Sequence, residues 1–357
     1  MNAGDKRHAD GSPDWAAVEQ LFHEATALDD VAREAALAAA GEPTAGIVRR
    51  LLAGDADASI LDRGIEALAA DLIGQESRDA LPAERFGPYR VTGLLGRGGM
   101  GTVYLAERDD VGSVVALKVL WDAPLSPARR ERFMDEQRTL ARLRHPCIVP
   151  LYDAGVQPDG TAWFAMEHVD GEHVDRWCLD RGTDTPGRLK LFAAICDAVR
   201  HAHQRLVVHG DLKPSNILVD GAGRVRLLDF GVAGPVDLVH RTTGAGAITP
   251  AYASPALGAD GAPTVHSDIY ALGVILLQLL TGQWPPLERR EPSEIRAVLR
   301  EARAVQPSNV DWDDLGVICS GALSLDEDTR YQSVEALLHD LERVRAHYPI
   351  GADPSLA

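Results

Sequence analysis

Cysteine is scarce in this sequence of 357 residues, and its four cysteines follow no pairing pattern. Cys147, Cys178, Cys196 and Cys319 form no C-x-x-C spacing, which argues against both a zinc site and a disulfide framework. We interpret each cysteine as a small buried hydrophobic residue. This cysteine usage is typical of a reducing cytosol, so the predicted location is cytoplasmic.

Long apolar runs and an excess of positive charge are also absent. The longest apolar run, residues 271–280, is about half of the roughly 20 residues that a membrane span needs, so it predicts a buried core helix. The N-terminus lacks the apolar stretch of a signal peptide. The formal net charge of −17 argues against nucleic acid and against an anionic membrane surface as partners.

The first 83 residues are rich in Ala, Asp and Leu and carry an acidic balance. Apolar residues between Trp15 and Leu28 recur at helical spacing, and Gly41 with Pro43 ends a second helical stretch. No catalytic constellation occurs there. We therefore predict that residues 1–83 form an acidic helical extension that packs against the rest of the chain or recruits a partner.

A polar linker precedes a change of pattern at about residue 86. Three β-rich runs, residues 89–96, 101–108 and 113–120, are joined by short turns and predict an antiparallel meander. Helical patterns dominate afterwards, with short strands between them. The predicted fold class is therefore α+β, with a small β-rich lobe, a larger helical lobe and a functional cleft between the two.

Glycines mark the first candidate site. Gly96, Gly98 and Gly101 form G-x-G-x-x-G ahead of Val103. They lie between two β-runs and do not open a helix, which favours a phosphate-covering hairpin over a dinucleotide-binding turn. A plain β-hairpin is the alternative interpretation of the same pattern.

Two charged residues near this hairpin are the next candidates. Lys118 closes a β-run and is placed where a phosphate could lie beneath the glycines. Glu136, in the following helical segment, is a natural ion-pair partner for it. Taken singly, each could be an ordinary solvated side chain.

The segment VVHGDLKPSNIL, residues 207–218, carries the strongest chemical signal. Asp211 can accept or orient the proton of an attacking hydroxyl, and Lys213 can neutralise phosphoryl charge. Asn216 and the later Asp229 offer oxygen ligands to a hard cation. Any one of these residues could be ordinary loop chemistry. The ordered set predicts phosphoryl transfer, which depends on positioning and charge neutralisation.

With these motifs, the region from about residue 86 to 348 resembles the eukaryotic-type (Hanks-type) Ser/Thr protein kinases of bacteria. The matching segments, in the family's order, are GRGGMGTVY, VALK, Glu136 before LARLRHPCIV, AMEHVDG, HGDLKPSNIL, LDFG, TPAYASP, SDIYALGVILLQLLTG and TRYQS. The resemblance implies a two-lobed protein kinase fold over residues 84–348, with an N-lobe at about 86–168 and a C-lobe at about 170–348. Residues 349–357 would be a tail.

The resemblance also implies cofactors, partners and residue roles. ATP with Mg²⁺, or Mn²⁺ in its place, would phosphorylate an unidentified protein substrate. Asp211 would be the catalytic base, Lys213 would support the γ-phosphate, and Lys118 would pair with Glu136. Asn216 and Asp229 would hold the metal. The implied ATP-binding residues are Gly96, Arg97, Gly98, Gly99, Met100, Gly101, Val103, Ala116, Lys118, Met166, Glu167, His168, Val169 and Leu218.

Further positions follow from the same resemblance. Phe230 would stack in a hydrophobic column with His209 and Leu140, and Asp268 would anchor the catalytic loop. Thr249 would contact the catalytic residues as part of the peptide-docking segment. Thr242 and Thr243 are candidate autophosphorylation sites.

Two departures from the family pattern concern regulation and docking. Gly210 replaces the arginine that usually reads a phosphate on the activation loop, so activity should not depend strongly on that phosphate. Ala256 replaces a glutamate that usually pairs with a buried arginine, here Arg330 by position. We expect either another acid beside Arg330 or a looser segment.

Two other functions stay open at this point. HGD-x-x-x-x-N is also used by small-molecule kinases of the aminoglycoside phosphotransferase type, although Lys213 and the DFG motif argue against that class. A pseudokinase scaffold is the second alternative, because Ala256 alters the docking region. It would usually lack Lys118, Asp211 or Asp229, all of which are present.

Overall fold

The computed structural model describes residues 84–98, 101–120, 137–138, 140–230, 263–282, 291–306 and 308–351. All of these from Arg85 onward belong to one compact unit. Several predictions lie outside the described residues: the helices of residues 1–83, Gly99, Met100, Glu136, Thr242, Thr243, Thr249, Ala256 and the chain beyond residue 351.

The first part of the described chain is a six-stranded antiparallel sheet with the order β1-β2-β3-β4-β6-β5. Its strands are β1 (Arg85–Phe86), β2 (Tyr89–Gly98), β3 (Gly101–Arg108), β4 (Ser113–Leu120), β5 (Leu151–Val156) and β6 (Ala162–Glu167). The predicted meander is therefore confirmed as β2, β3 and β4, which pair in sequence order.

Aromatic packing closes one end of this sheet. The rings of Tyr89 and Trp163 meet edge to face with centroids 5.8 Å apart, and both side chains are buried. Phe86, three residues before Tyr89, is also buried, at 1% exposure. The short β1 thus contributes a core side chain although it has only two residues.

The second part is helical and carries a small three-stranded antiparallel sheet with the order β7-β8-β9. Its elements are β7 (Gly171–His173), α1 (Val174–Asp180), α2 (Thr185–His203), a 3₁₀ turn (Pro214–Asn216), β8 (Ile217–Asp220), β9 (Val225–Leu227), α3 (Val265–Thr281), α4 (Pro292–Val305), α5 (Trp312–Leu323) and α6 (Val334–Arg345). The predicted α+β organisation is confirmed.

The longest apolar run lies in α3, where the structure confirms a buried core helix. Leu272, Ile275 and Leu276 are fully buried. The helix begins with a capping box between Thr264 and Ser267 and ends at Gly282, whose φ of 75° suits glycine. Among the helices of the described residues, none has the combined length and apolarity needed to cross a membrane.

The cysteines are free thiols, as predicted, and three of them are buried. Burial raises the pKa of the Cys319 thiol to about 12. Cys147 differs from the prediction, because it is only half-buried. Cys147 lies in the turn that precedes β5, whereas the other three cysteines lie in helices α1, α2 and α5.

Candidate active site

The glycine motif forms the β2–β3 hairpin. Gly98 pairs with Gly101, and Gly96 lies opposite Val103. A Cβ atom on Gly101 would lie 2.2 Å from the backbone oxygen of Val119, so this position accepts only glycine. A Cβ on Gly96 would meet nothing within 4 Å. The hairpin is therefore packed against β4 at Gly101 and leaves open space at Gly96.

Lys118 and Asp229 form an ion pair next to the β2–β3 hairpin. Lys118 lies on β4 opposite Val103 of β3, and its Nζ is 2.7 Å from Oδ2 of Asp229. Both side chains are largely buried, at 9% and 18% exposure. Asp229 has a φ of 55°, an uncommon left-handed conformation for a residue other than glycine. The partner that the structure shows for Lys118 is thus Asp229, whereas the predicted partner Glu136 lies outside the described residues.

An apolar wall adjoins Lys118 on the same strand. Ala116 pairs with Met166 across β4 and β6, and both are buried in one cluster with Phe164. Val103 packs against that cluster. His168 and Val169, which the resemblance implies as ATP-binding residues, follow β6 and are half-buried, and Leu218 is half-buried on β8. These elements give a flat apolar group a surface on which to lie.

The segment between α2 and β8 brings the polar candidates together. Nδ2 of Asn216 donates to the backbone oxygen of Asp211 at 2.8 Å and to its Oδ2 at 3.1 Å. Nζ of Lys213 lies 3.0 Å from the same Oδ2. The 3₁₀ turn Pro214–Asn216 reverses the chain and lets Asn216 reach back. The predicted trio is therefore assembled around one carboxylate.

Asp268 holds this segment from the first turn of α3. Its Oδ2 accepts the backbone N–H of His209 at 2.8 Å, and its Oδ1 accepts that of Gly210 at 2.9 Å. Nε2 of His203 lies 2.7 Å from Oδ2. Asp268 is 1% exposed, so these three donors compensate a buried carboxylate. Sequence reasoning missed His203, whose only signal is its place six residues ahead of His209.

His209 connects the segment to the residues around Asp229. Its ring is 4.7 Å from that of Phe230, and Nε2 contacts the backbone oxygen of Leu228 at 2.9 Å. Burial lowers the pKa of His209, so the neutral ring donates from Nε2. Nδ1 then accepts the N–H of Asp211 at 3.3 Å. The stacking predicted for His209 and Phe230 is observed, and Leu140 is buried but its contact with them stays a prediction.

Arg330 is buried, as its predicted place in the fold requires. Nε donates to the backbone oxygen of Ser324 at 2.8 Å, and Nη1 donates to that of His266 at 3.0 Å. Oε1 of Glu327 lies 3.9 Å from Nη1. Another acid therefore stands beside this guanidinium, which was one of the two expectations for a chain with Ala256.

Metal ligands are few at this site. Among the residues that the structure describes, no group of three or more His, Cys, Asp or Glu could hold a metal ion. A magnesium ion usually takes one or two protein carboxylates and completes its shell with phosphates and water. The carboxylate of Asp229 and the amide oxygen of Asn216 are oxygen ligands of the kind that a hard cation takes.

Comparison with known proteins gives a consistent result. Residues 89–341 match the family model described as protein kinase domain. The serine/threonine-protein kinase PrkC of Bacillus subtilis is 33% identical over 266 residues, which are 72% of this chain and 40% of that protein. PknB of Mycobacterium tuberculosis, also a serine/threonine-protein kinase, is 32% identical over 73% of this chain and 43% of its own length. The chain thus spans about two fifths of the curated relatives that it matches.

A solved structure shows the same architecture. The kinase domain of PknI from Mycobacterium tuberculosis superposes with a TM-score of 0.57 and 29% sequence identity. The match covers 75% of this chain and 100% of that domain. Both the sheet-first order and the helical second part are therefore those of a kinase domain.

Proposed function

Because this chain belongs to the protein kinase family, we propose that it transfers the γ-phosphate of ATP to Ser or Thr hydroxyls of proteins. The observation that carries this proposal is the convergence of Lys118 with Asp229 and of Lys213 and Asn216 on Asp211. Protein kinases use ATP with Mg²⁺, and Mn²⁺ can replace the metal. Autophosphorylation at Thr242 or Thr243 belongs to the same proposal.

Asp211 is the proposed acceptor and orienting group for the substrate hydroxyl. Its Oδ2 is fixed by Asn216 at 3.1 Å and by Lys213 at 3.0 Å. These contacts orient the carboxylate, whose oxygens can accept a hydrogen bond from the hydroxyl. Lys213 also places a positive charge beside the reacting group, where phosphoryl transfer needs neutralisation.

Lys118, Asn216 and Asp229 are the proposed cofactor ligands of the chain. Bound ATP and Mg²⁺ supply the phosphoryl group and spread its charge. Asn216 uses its amide nitrogen on Asp211, which leaves its oxygen as the atom for a cation. Lys118 offers a buried ammonium to phosphate oxygens. Since Lys118 and Asp229 pair with each other at 2.7 Å, their charges balance when neither holds a ligand.

The remaining nucleotide contacts are proposed from position. Gly96, Arg97, Gly98, Gly99, Met100 and Gly101 would cover the phosphates, and Val103, Ala116, Met166, Glu167, His168, Val169 and Leu218 would surround adenine and ribose. The burial of Ala116 and Met166 in one apolar cluster supports this assignment. Glu136 stays a proposed second partner of Lys118.

The organisation of the whole chain is also a proposal. Residues 84–348 would form the kinase domain, residues 1–83 would recruit a partner or substrate, and residues 349–357 would form a tail. The start of this tail is hydrogen-bonded to α6, because the backbone N–H of Gly351 donates to Oδ1 of Asp340 at 2.8 Å. A cytoplasmic location is supported by the four free thiols.

The test offers the purified chain two kinds of acceptor with ATP and Mg²⁺. A basic protein should become labelled, and hydrolysis of the product should release phosphoserine or phosphothreonine. An aminoglycoside should not be labelled, and an Asp211→Asn variant should label neither. Labelled aminoglycoside with unlabelled protein would identify a small-molecule kinase. No transfer to either acceptor would favour a scaffold.

A further inference from the structure

Arg226 forms an ion pair that connects the two parts of the kinase domain. It lies in the middle of β9, between the buried Val225 and Leu227. Its guanidinium contacts the carboxylate of Glu167, which is the last residue of β6 in the N-terminal sheet. The side chains are 12% and 33% exposed, so the pair is largely withdrawn from water.

The strand that carries Arg226 is also tied to the N-terminal part through its backbone. Leu227 N donates to the oxygen of Cys147 at 2.7 Å, and Val149 N donates to the oxygen of Leu227 at 3.0 Å. Asp229, two residues farther, pairs with Lys118. The segment 226–229 therefore has an ion pair at each end and backbone bonds between them.

Both ion pairs involve residues of two paired strands of the N-terminal sheet, Lys118 on β4 and Glu167 on β6. Val115 of β4 pairs with Glu167, and Lys118 of β4 pairs with Phe164 of β6. Glu167 begins the proposed adenine-binding turn, residues 167–169, and Lys118 belongs to the proposed phosphate site. Arg226 and Asp229 thus fix one segment at two points, one on the proposed adenine-binding turn and one at the proposed phosphate site.

We propose that Arg226 is a positioning residue for the nucleotide, acting through Glu167. The inference rests on the proposed function. Lys118 and Asp229 have phosphate and metal to hold when a nucleotide binds, whereas the side chains of Arg226 and Glu167 are engaged with each other. The ion pair of Arg226 with Glu167 holds the adenine-binding turn in a fixed position relative to Asp229. It does so while Lys118 and Asp229 exchange each other for phosphate and metal.

The burial of Arg226 makes the pair strongly coupled. Nε of Arg226 is buried and has no hydrogen-bond partner among the described residues, so Glu167 supplies the anionic compensation seen for this cation. Removing Glu167 alone leaves a buried cation uncompensated. Removing both charges removes that penalty, so the two substitutions should not be additive.

The experiment compares Arg226→Met, Arg226→Lys, Glu167→Gln and the double variant Glu167→Gln/Arg226→Met. Arg224→Gln is the matched control, because Arg224 also pairs with a carboxylate, that of Asp220 on the same β8–β9 hairpin, but is 69% exposed. Calorimetry measures the Kd of ADP with Mg²⁺, and steady-state assays measure KM for ATP and for a basic protein. Thermal unfolding without nucleotide identifies variants that fail to fold.

Arg226→Met should raise the Kd of ADP and KM for ATP about tenfold, with KM for the protein substrate unchanged. Arg226→Lys, which keeps the charge, should recover part of this loss. The double variant should bind ADP no more weakly than Glu167→Gln, and Arg224→Gln should match the wild type.

Arg226→Met binding ADP as tightly as Arg224→Gln would overturn the proposal. Additive effects in the double variant, or an equal rise in both KM values, would also overturn it, because these indicate independent or general damage. A wild type that binds ADP but transfers no phosphate would contradict the proposed function alone, since the positioning role is measured by binding. A wild type that binds no nucleotide would contradict both.

Discussion

Lys118 on β4 and Asp229 after β9 form an ion pair with a 2.7 Å separation between Nζ and Oδ2. The two residues are 111 positions apart in the sequence, so their contact joins the N-terminal sheet to the segment that follows β9. Each carries a charge that the proposed reaction needs, one for phosphate and the other for the metal. Their contact places the ammonium proposed to bind phosphate directly beside the carboxylate proposed to bind the metal.

Replacing Lys118 by methionine should remove most of the activity. The substitution keeps the unbranched stem of the side chain but leaves the Asp229 carboxylate without its cation and the phosphate without an ammonium. We expect kcat/KM to fall by about 100-fold or more, which corresponds to about 2.7 kcal/mol. Lys190→Met is the control, since Lys190 is exposed on α2. Equal rates for both variants would contradict the assigned role of Lys118.

Gly210 should free the enzyme from control by an activation-loop phosphate. Its N–H binds Asp268, and its φ of 79° suits glycine. Glycine has no side chain that could bind a phosphate on the activation loop. Protein treated with a phosphatase is therefore expected to keep its initial rate within about twofold, because no arginine here responds to the lost charge. A wild type that is inactive until Thr242 or Thr243 is phosphorylated would contradict this prediction.

Stability should fall as the pH drops below neutrality, partly because of His209. Burial lowers its pKa in the folded protein, so the unfolded chain takes up the proton at a higher pH. The contribution of His209 to the free energy of unfolding is fully present above the ordinary histidine pKa. It is lost as the pH falls from that pKa toward the lower pKa of His209 in the folded protein. Each unit of lowering corresponds to about 1.4 kcal/mol.

Unfolding temperatures between pH 7.5 and 5.5 measure this effect. The fall should be shallower in His209→Phe than in the wild type, although that variant is less stable at every pH. His201, whose pKa is also lowered by burial, contributes in both proteins. An equally steep fall in the variant would show that His209 is not the group responsible.

Leu206 offers a stabilising substitution. It has a φ of 61° and is 95% exposed, so it carries backbone strain without burying its side chain. Leu206→Gly should raise the free energy of unfolding by about 0.5–1 kcal/mol and the melting temperature by about 1–4 °C. Leu206→Ala, which keeps the Cβ in the same backbone conformation, should bring no gain. A lower melting temperature for the glycine variant would show that Leu206 makes a contact that outweighs the strain.

Local patterns account for the parts of the fold that the sequence predicts well. The β-rich runs of β2 to β4, the continuous apolar run of α3 and the glycine hairpin each depend on neighbouring residues. The segment from Asp211 to Asn216 is also local, and its residues meet as their spacing predicts. In these cases, a few adjacent residues determine the geometry.

Contacts between distant residues were not predictable in this way. His203 lies 65 positions from Asp268, and Glu167 lies 59 positions from Arg226. Each pair is brought together by packing of elements that the local pattern does not describe. The contact between Lys118 and Asp229 is of the same kind, since the two residues lie 111 positions apart. The predicted pair of Lys118 with Glu136 stays a prediction.

Phosphotransfer from labelled ATP with Mg²⁺, to the chain itself and to a basic protein, tests the central claim most directly when wild type and Asp229→Asn are compared. Asparagine preserves the shape of the side chain but removes the charge that the metal and Lys118 require. We predict incorporation by the wild type that disappears in the variant. Tight ATP binding without transfer to any protein, or full activity of Asp229→Asn, would contradict the account.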